Sequence, residues 1–274
     1  MSKILPGFLK TFLGYILKEM YGALLPRRPL ISICILTWNR SKFLEMCIDN
    51  LLEALIYFEN SEILIMDNGS TDQTEKVLEK YKQNKQIRII RNKKHIGIRA
   101  YKKLFGKAKG DYIIDLDDDV LEFPLYFDRT MIEYMNLYSD YGFLALNVIQ
   151  NEYTNGAKPD ASNYMDDIRH GKTVLKGPAG GWCTCFRRDD YMKIRNIFNL
   201  TPLSFKKGGE DNILAGLFKK YLKLNVGIIK DQVCFHACGA HYARQYGHLE
   251  REIAKYESGN LTAFVDHYKS FIKK

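Results

Sequence analysis

Cysteine is scarce in this chain of 274 residues, with six positions: Cys34, Cys47, Cys183, Cys185, Cys234 and Cys238. That excludes a disulfide mini-scaffold. Two of the six sit inside apolar runs, where they read as small hydrophobes, so a reducing compartment is expected. No repeat of fixed period and no low-complexity tract occurs, which excludes solenoids and collagen-like chains. Long uncharged apolar runs are missing too. The most apolar stretch, residues 1–25, is interrupted by Lys10, Lys18 and Glu19 and falls short of the ~18 residues a bilayer span needs. Nor does it hold a hydrophobic region followed by a small-residue cleavage site, so a cytoplasmic protein is expected.

What is present is 46% hydrophobic, 13% aromatic and 27% charged residues, enough for the packed core of one large domain or two small ones. Lys and Arg number 41 against 32 Asp and Glu, a net +9 that points to anionic partners: phosphate-bearing small molecules, nucleic acid or anionic lipid. No RNA-binding aromatic signature is evident, so nucleic acid is not an expected partner. Residues 1–28 set Lys3, Lys10, Lys18, Arg27 and Arg28 beside Leu5, Phe8, Leu9, Phe12 and Ile16. This suits an amphipathic extension making peripheral membrane contact on the cytoplasmic face, and equally a helix docked on its own domain. Pro26 and Pro29 break it, which predicts a boundary near residue 29. The expected parts are residues 1–28, a main domain over 29–242 and a C-terminal helical segment over 243–274.

Beyond that boundary the pattern alternates. Apolar runs at Ile31–Leu36, Ile63–Met66, Ile87–Ile90 and Tyr112–Ile114 read as strands, separated by helix-periodic Ser41–Phe58, Thr71–Tyr81 and Ile98–Ala108. A β-α-β-α-β-α-β order predicts an α/β fold whose mostly parallel sheet is covered on both faces and binds ligands beyond the carboxyl ends of its strands. Polar residues cluster at those ends: Thr37, Asn39 and Arg40; Asp67, Asn68 and Ser70; Asp117, Asp118 and Asp119. The polar stretch Asn151–Lys172 reads as a long loop, and the tail from Ala243 as a surface helix pair without chemistry.

Several carboxylates in one strand-end loop repel one another unless a cation compensates them, so Asp115–Asp119 suit a hard divalent metal, or else a solvated loop. Just upstream, Lys82–Gly110 hold eleven Lys or Arg and no acid. A basic helix beside an acidic loop suits a nucleotide diphosphate, with Arg99, Lys102 or Lys103 as neutralising cations. Asp67 after the second strand suits a base N–H, or an ordinary turn and helix cap. A zinc site built from Cys183, Cys185, Cys234, His236, Cys238 and His241 lacks the usual knuckle spacing.

In this order and spacing, Ile33–Arg40 (ICILTWNR), Ile63–Asp72 (ILIMDNGSTD), Gly110–Val120 (GDYIIDLDDDV) and Gly208–Asn212 (GGEDN) resemble the family-2 glycosyltransferases of the GT-A fold. The resemblance covers residues 31–241. It implies a nucleotide-sugar donor bound by Thr37, Asn39, Arg40, Asp67, Asn68, Arg99, Lys103, Asp117 and Asp118. It also implies a Mn²⁺ or Mg²⁺ site at Asp117 and Asp119, with His236 or His241 as a further ligand. The acceptor, a glycan or a lipid-linked one, falls to Gly180, Gly181 and Trp182. Inverting transfer then uses Asp211 as base, with Glu210 orienting acceptor or loop. Asn68 and Lys102–Lys103 depart from the commoner pattern, which leaves the donor base open: UDP is the default, with dTDP or GDP as alternatives. A nucleotidyltransferase on a similar sheet would want a glycine-rich loop that Thr37–Arg40 do not supply. A non-catalytic basic module binding membrane or nucleic acid would leave the acidic clusters without purpose.

Overall fold

The computed structural model describes residues 29–154, 158–204 and 208–272. The expected amphipathic extension, residues 1–28, lies outside the described residues. From residue 31 the chain follows the predicted alternation: β1 (Ile31–Thr37), α1 (Ser41–Ala54), β2 (Ser61–Asp67), α2 (Thr74–Tyr81), β3 (Ile87–Arg91), α3 (Ala100–Phe105) and β4 (Tyr112–Asp117). β1 and β2 bury nearly every residue, as strands covered on both faces must. α1 buries Phe43, Leu44, Cys47, Ile48, Leu51 and Ala54, one helical stripe facing the sheet. It stops four residues short of the predicted end because the Asp128 carboxylate accepts the N–H groups of Ile56 and Tyr57 at 3.2 and 2.8 Å. That partner lies seventy residues downstream, beyond the reach of local periodicity.

The sheet runs β3-β2-β1-β4-β9-β6-β10-β8-β7. Its first four strands are parallel, and their register sets Thr37 beside Asp67 and Leu36 beside Asp117, so the strand-end residues share one edge. The second half is mixed. β9 (Cys183–Arg187) enters antiparallel between β4 and β6 (Tyr141–Val148), while β10 (Asn225–His236) runs parallel to β6. Helix α4 (Phe127–Leu137), β6 and helix α5 (Arg188–Leu200) are elements that the sequence pattern alone did not place.

Two expectations need correction. The end of the stretch expected as a loop over Asn151–Lys172 folds into an edge hairpin, β7 (Met165–Arg169) with β8 (Lys172–Lys176), while its described residues before Met165 hold no strand. Its two-residue turn, His170–Gly171, takes positive φ at both positions (48° and 74°), the geometry that matches strand twist. Histidine is not the residue that usually announces such a turn. The tail forms three helices rather than two, α7 (Ala240–Gln245), after α6 (Gly209–Leu217), then α8 (Leu249–Ser258) and α9 (Thr262–Lys269). They close a small core of their own around Ala240, Ala243, Leu249, Ile253, Val265 and Tyr268, and α7 runs across the expected boundary at 242.

Candidate active site

β4 ends at Asp117, and the chain turns through Asp118 and Asp119 into the short strand β5 (Val120–Glu122). β5 pairs with the end of β10, opposing Val120 to His236, and the Ala237 N–H donates to the Asp119 carbonyl at 2.8 Å. This pairing carries His236 from more than a hundred residues away to the acidic turn. Its Nε2 lies 3.1 Å from Asp119 Oδ1 and 3.6 Å from Asp117 Oδ2. Asp117, Asp119 and His236 each offer a ligand atom, all within 4.8 Å of one another. His241 is not among them; it stacks on Tyr153 at 4.1 Å. The cysteines do not gather with it, and among the described residues this is the one group of three or more such ligands.

Charge in the turn is unevenly compensated. Burial and the neighbouring Asp119 push the Asp117 carboxyl up to about 6. Burial acts the same way on Asp119, but Arg40 and His236 overrule it and hold that carboxyl well below the usual range. Two carboxylates and an imidazole, one carboxylate still under-neutralised, fit a divalent cation.

Arg40 itself does not stand free for a donor. Nη1 lies 2.8 Å from both Asp118 Oδ1 and Asp119 Oδ2, while Nε and Nη2 donate to Glu252 on α8. Asp118 is likewise buried and paired with Arg40, so these two residues expected at the donor form an internal ion network in the cavity wall. Glu252 is 3% exposed, and although burial raises it, Arg251, Arg40 and Lys255 hold its carboxyl well below the ordinary range. The tail expected to carry no chemistry therefore anchors the acidic turn.

Across the cleft, α6 opens with Gly208 and Gly209 at φ +88° and +86°, a left-handed pair that side-chain-bearing residues adopt only with strain. They bring Asp211 round so that Oδ2 accepts the Gly181 N–H at 2.9 Å and Oδ1 its neighbour Asn212 N–H at 2.7 Å. Burial raises the Asp211 carboxyl while these N–H groups pull it down, with burial prevailing. Glu210 is more deeply buried, and burial with repulsion from Asp211 and Asp117 raises it well above the usual value. A Cβ on Gly181 would sit 3.1 Å from Asp211 Cβ and 3.2 Å from Asp115 Oδ2, so glycine permits the close approach.

These groups face one cavity of ≈ 660 Å³, lined also by Thr37, Trp38, Asn68 and Tyr101, and by Arg251, Glu252, Lys255 and Tyr256 of α8. The other expected residues stand off it. Gly180, Gly181 and Trp182 do not line it; Trp182 is 3% exposed, donates Nε1–H to the Leu146 carbonyl at 2.8 Å, and its ring centre lies 6.4 Å from that of His236 at an interplanar angle of 29°. Asp67 accepts the Ser70 N–H and Asn39 the Thr71 N–H, both holding the loop after β2. Asn68, which does line the cavity, is also engaged by Gly97, Asn92 and Ile96. Arg99 bonds the Ile96 carbonyl, Lys102 the Asn199 and Thr201 carbonyls, and Lys103 the Asn92 side chain, and none lines the cavity. α3 buries Ala100, Tyr101 and Leu104, and the basic residues fall on its other side. Sequence reasoning missed Trp38, stacked on His95 at 3.9 Å, and the three tail residues Arg251, Glu252 and Lys255.

The sheet has the GT-A fold of solved glycosyltransferases. The mannosyltransferase PcManGT from Pyrobaculum calidifontis, solved with GDP-Man and Mn²⁺, aligns with a TM-score of 0.57 at 16% identity, covering 90% of this chain and 71% of that one. TarS from S. aureus, solved with UDP-GlcNAc, aligns at 0.59 and 14% identity over 78% of this chain and 60% of that one. The chain belongs to glycosyl transferase family 2, whose profile matches residues 32–195. Glycosyltransferase GlyG of Streptococcus pneumoniae is 29% identical over 140 residues, 50% of this chain and 43% of that protein. Chondroitin synthase of Escherichia coli is 38% identical over 108 residues, 38% of this chain and 15% of that protein. The chain thus spans less than half the length of these curated relatives.

The ion network generates a stability prediction. Arg40→Met keeps the stem but leaves buried carboxylates unpaired, which should cost about 3–5 kcal/mol at pH 7 by urea denaturation. Asp119 and Glu252 have folded pKa values below their ordinary 3.8 and 4.5, so their contribution is complete above those values and is lost as pH falls below them. The gap between wild type and variant should narrow from about pH 5 downward; a gap of constant size would refute the assignment.

Proposed function

We propose that this family-2 glycosyltransferase moves a sugar from a nucleotide-sugar donor to a hydroxyl of a glycan or lipid-linked acceptor, with inversion and with the help of a divalent cation. The observation that carries the reading is the meeting of the Asp117, Asp119 and His236 ligand atoms with the Asp211 carboxylate in one cavity. The ligands named for PcManGT and TarS, GDP-Man with Mn²⁺ and UDP-GlcNAc, support the same class of donor.

Asp117, Asp119 and His236 would hold the cation, which supplies charge neutralisation at the diphosphate leaving group. The remaining work falls to the chain's own residues. Asp211, fixed by the Gly181 and Asn212 N–H groups, takes the acceptor hydroxyl proton as that oxygen attacks the anomeric carbon from the face opposite the leaving group. Burial, with repulsion from Asp211 and Asp117, raises the Glu210 carboxyl well above its usual value, which weakens the negative charge it sets beside the base. Thr37 and Trp38, at the end of β1, border the part of the cleft where parallel α/β sheets receive a nucleotide.

Thermal shift against UDP, GDP and their sugars, with and without Mn²⁺, tests donor and metal together. Stabilisation by one nucleotide series only when Mn²⁺ is present, abolished by His236→Ala, is the expected result; metal-independent binding would remove the cation from the reading.

Asp211→Asn should reduce kcat by about 10² to 10⁴-fold while leaving donor affinity unchanged. Because Asp211 must be deprotonated to act and its carboxyl is raised from 3.8, wild-type kcat/KM should fall on the acid side at a pH above the ordinary aspartate value. Residual activity of Asp211→Asn should lack that limb, and near-normal turnover would exclude the role.

Among the described residues no helix is long and apolar enough to cross a membrane. Peripheral contact on the cytoplasmic face belongs, in this proposal, to residues 1–28. Cosedimentation with anionic vesicles should be lost when residues 2–28 are deleted, and unchanged binding would end that part.

A further inference from the structure

The cavity wall is acidic for a site that receives an anion. Asp117, Asp118, Asp119, Glu210, Asp211 and Glu252 all line it. A donor diphosphate brings roughly two further negative charges and gains another as the glycosidic bond breaks, so one divalent cation does not balance the site. The basic helix α3 does not supply the difference, since Arg99, Lys102 and Lys103 stand off the cavity. Among the described residues, the Lys and Arg side chains that line it are Arg40, Arg251 and Lys255. Arg40 is neutralised by Asp118, Asp119 and Glu252.

We infer that α8 provides the counter-charge for the donor diphosphate, with Lys255 as its principal contact and Arg251 beside it. Positions 251 and 255 are one helical turn apart and share a face. Their side chains are 15% and 23% exposed, recessed but reachable from the cleft. Arg251 donates Nε–H to the Trp38 carbonyl at 2.9 Å and Nη1–H to Glu252, and its guanidinium lies 5.2 Å from the Trp38 ring centre. Nη2 has no partner among the described residues and is left to a phosphate oxygen. Lys255 Nζ lies 3.5 Å from Glu252 Oε2, on the carboxylate that also holds Arg40 beside Asp118 and Asp119, and Lys255 lines the same cavity as Asp117 and Asp211. It therefore stands on the wall shared by the acidic turn and the start of α6, between which the leaving diphosphate must sit. Glu252 is the positioning residue: its bond to Arg40 pins α8 against the acidic turn. α8 lies beyond residues 32–195, the part of the chain that the family profile matches.

The inference rests on the nucleotide-sugar reading, and binding measurements separate the two. Full-length wild type, Lys255→Met and Lys255→Arg are titrated with UDP and GDP in saturating Mn²⁺, and with UMP and GMP. Lys255→Met should lose about tenfold in affinity for the diphosphate that wild type binds, and markedly less for the matching monophosphate, while Lys255→Arg restores most of the loss. Mn²⁺ affinity without nucleotide should stay equal or tighten in Lys255→Met, because a cation near Asp119 has been removed; weakened Mn²⁺ binding would mark a structural defect and overturn the assignment. Unchanged diphosphate affinity in Lys255→Met, or equal losses for di- and monophosphate, would also overturn it while leaving the donor reading intact. Wild type that binds neither diphosphate would overturn the donor reading and this inference with it.

Discussion

A single guanidinium, Arg40 at the end of β1, touches carboxylates from two other parts of the chain: Asp118 and Asp119 in the turn after β4, and Glu252 in α8. Charges so deeply buried are costly to remove from water, and only close, multiple pairing offsets that cost. Arginine is suited to it because its planar fork carries five donors and stays charged. Around this hub the site acquires its asymmetry. Asp119 is held ionised, while Asp117, farther from the guanidinium, is left short of positive charge and turned toward the cleft.

The second organising element is the pairing of β5 with the bulged end of β10. The irregularity between Ile229 and Val233 shifts the register with β6, so that Ile229 opposes Leu146 but Val233 opposes Asn147, and the last two residues, Phe235 and His236, pair with β5 beside the acidic turn. Trp182 lies near the imidazole, with ring centres 6.4 Å apart, its indole N–H tied to the Leu146 carbonyl. The sheet thereby brings side chains from two distant stretches of chain, Asp117 with Asp119 from one and His236 from the other, to one place.

How much of this was legible in the sequence follows from range. The first four strands and the helices between them were readable, because apolar periodicity and strand-end polar residues are local signals. Asp117, Asp119, His236 and Asp211 were readable through motif order, and all four line one cavity. Side-chain facing was not. Arg99 and Lys103 sit in a visibly basic stretch, yet the buried stripe of α3 turns them from the cleft. Trp182 reads as a sugar platform until Leu146 claims its N–H. Arg40 and Asp118, each a plausible ligand alone, neutralise each other. Glu252 gave no signal because its partner is 212 positions away and the surrounding tail has the composition of an ordinary surface helix.

The bond between Arg40 and Glu252 also bears on biogenesis. The profile-matched region ends at residue 195, yet its acidic turn has its full counterpart only when residue 252 is in place. During synthesis, the guanidinium of residue 40 can therefore meet its last carboxylate partner only after residue 252 has left the ribosome.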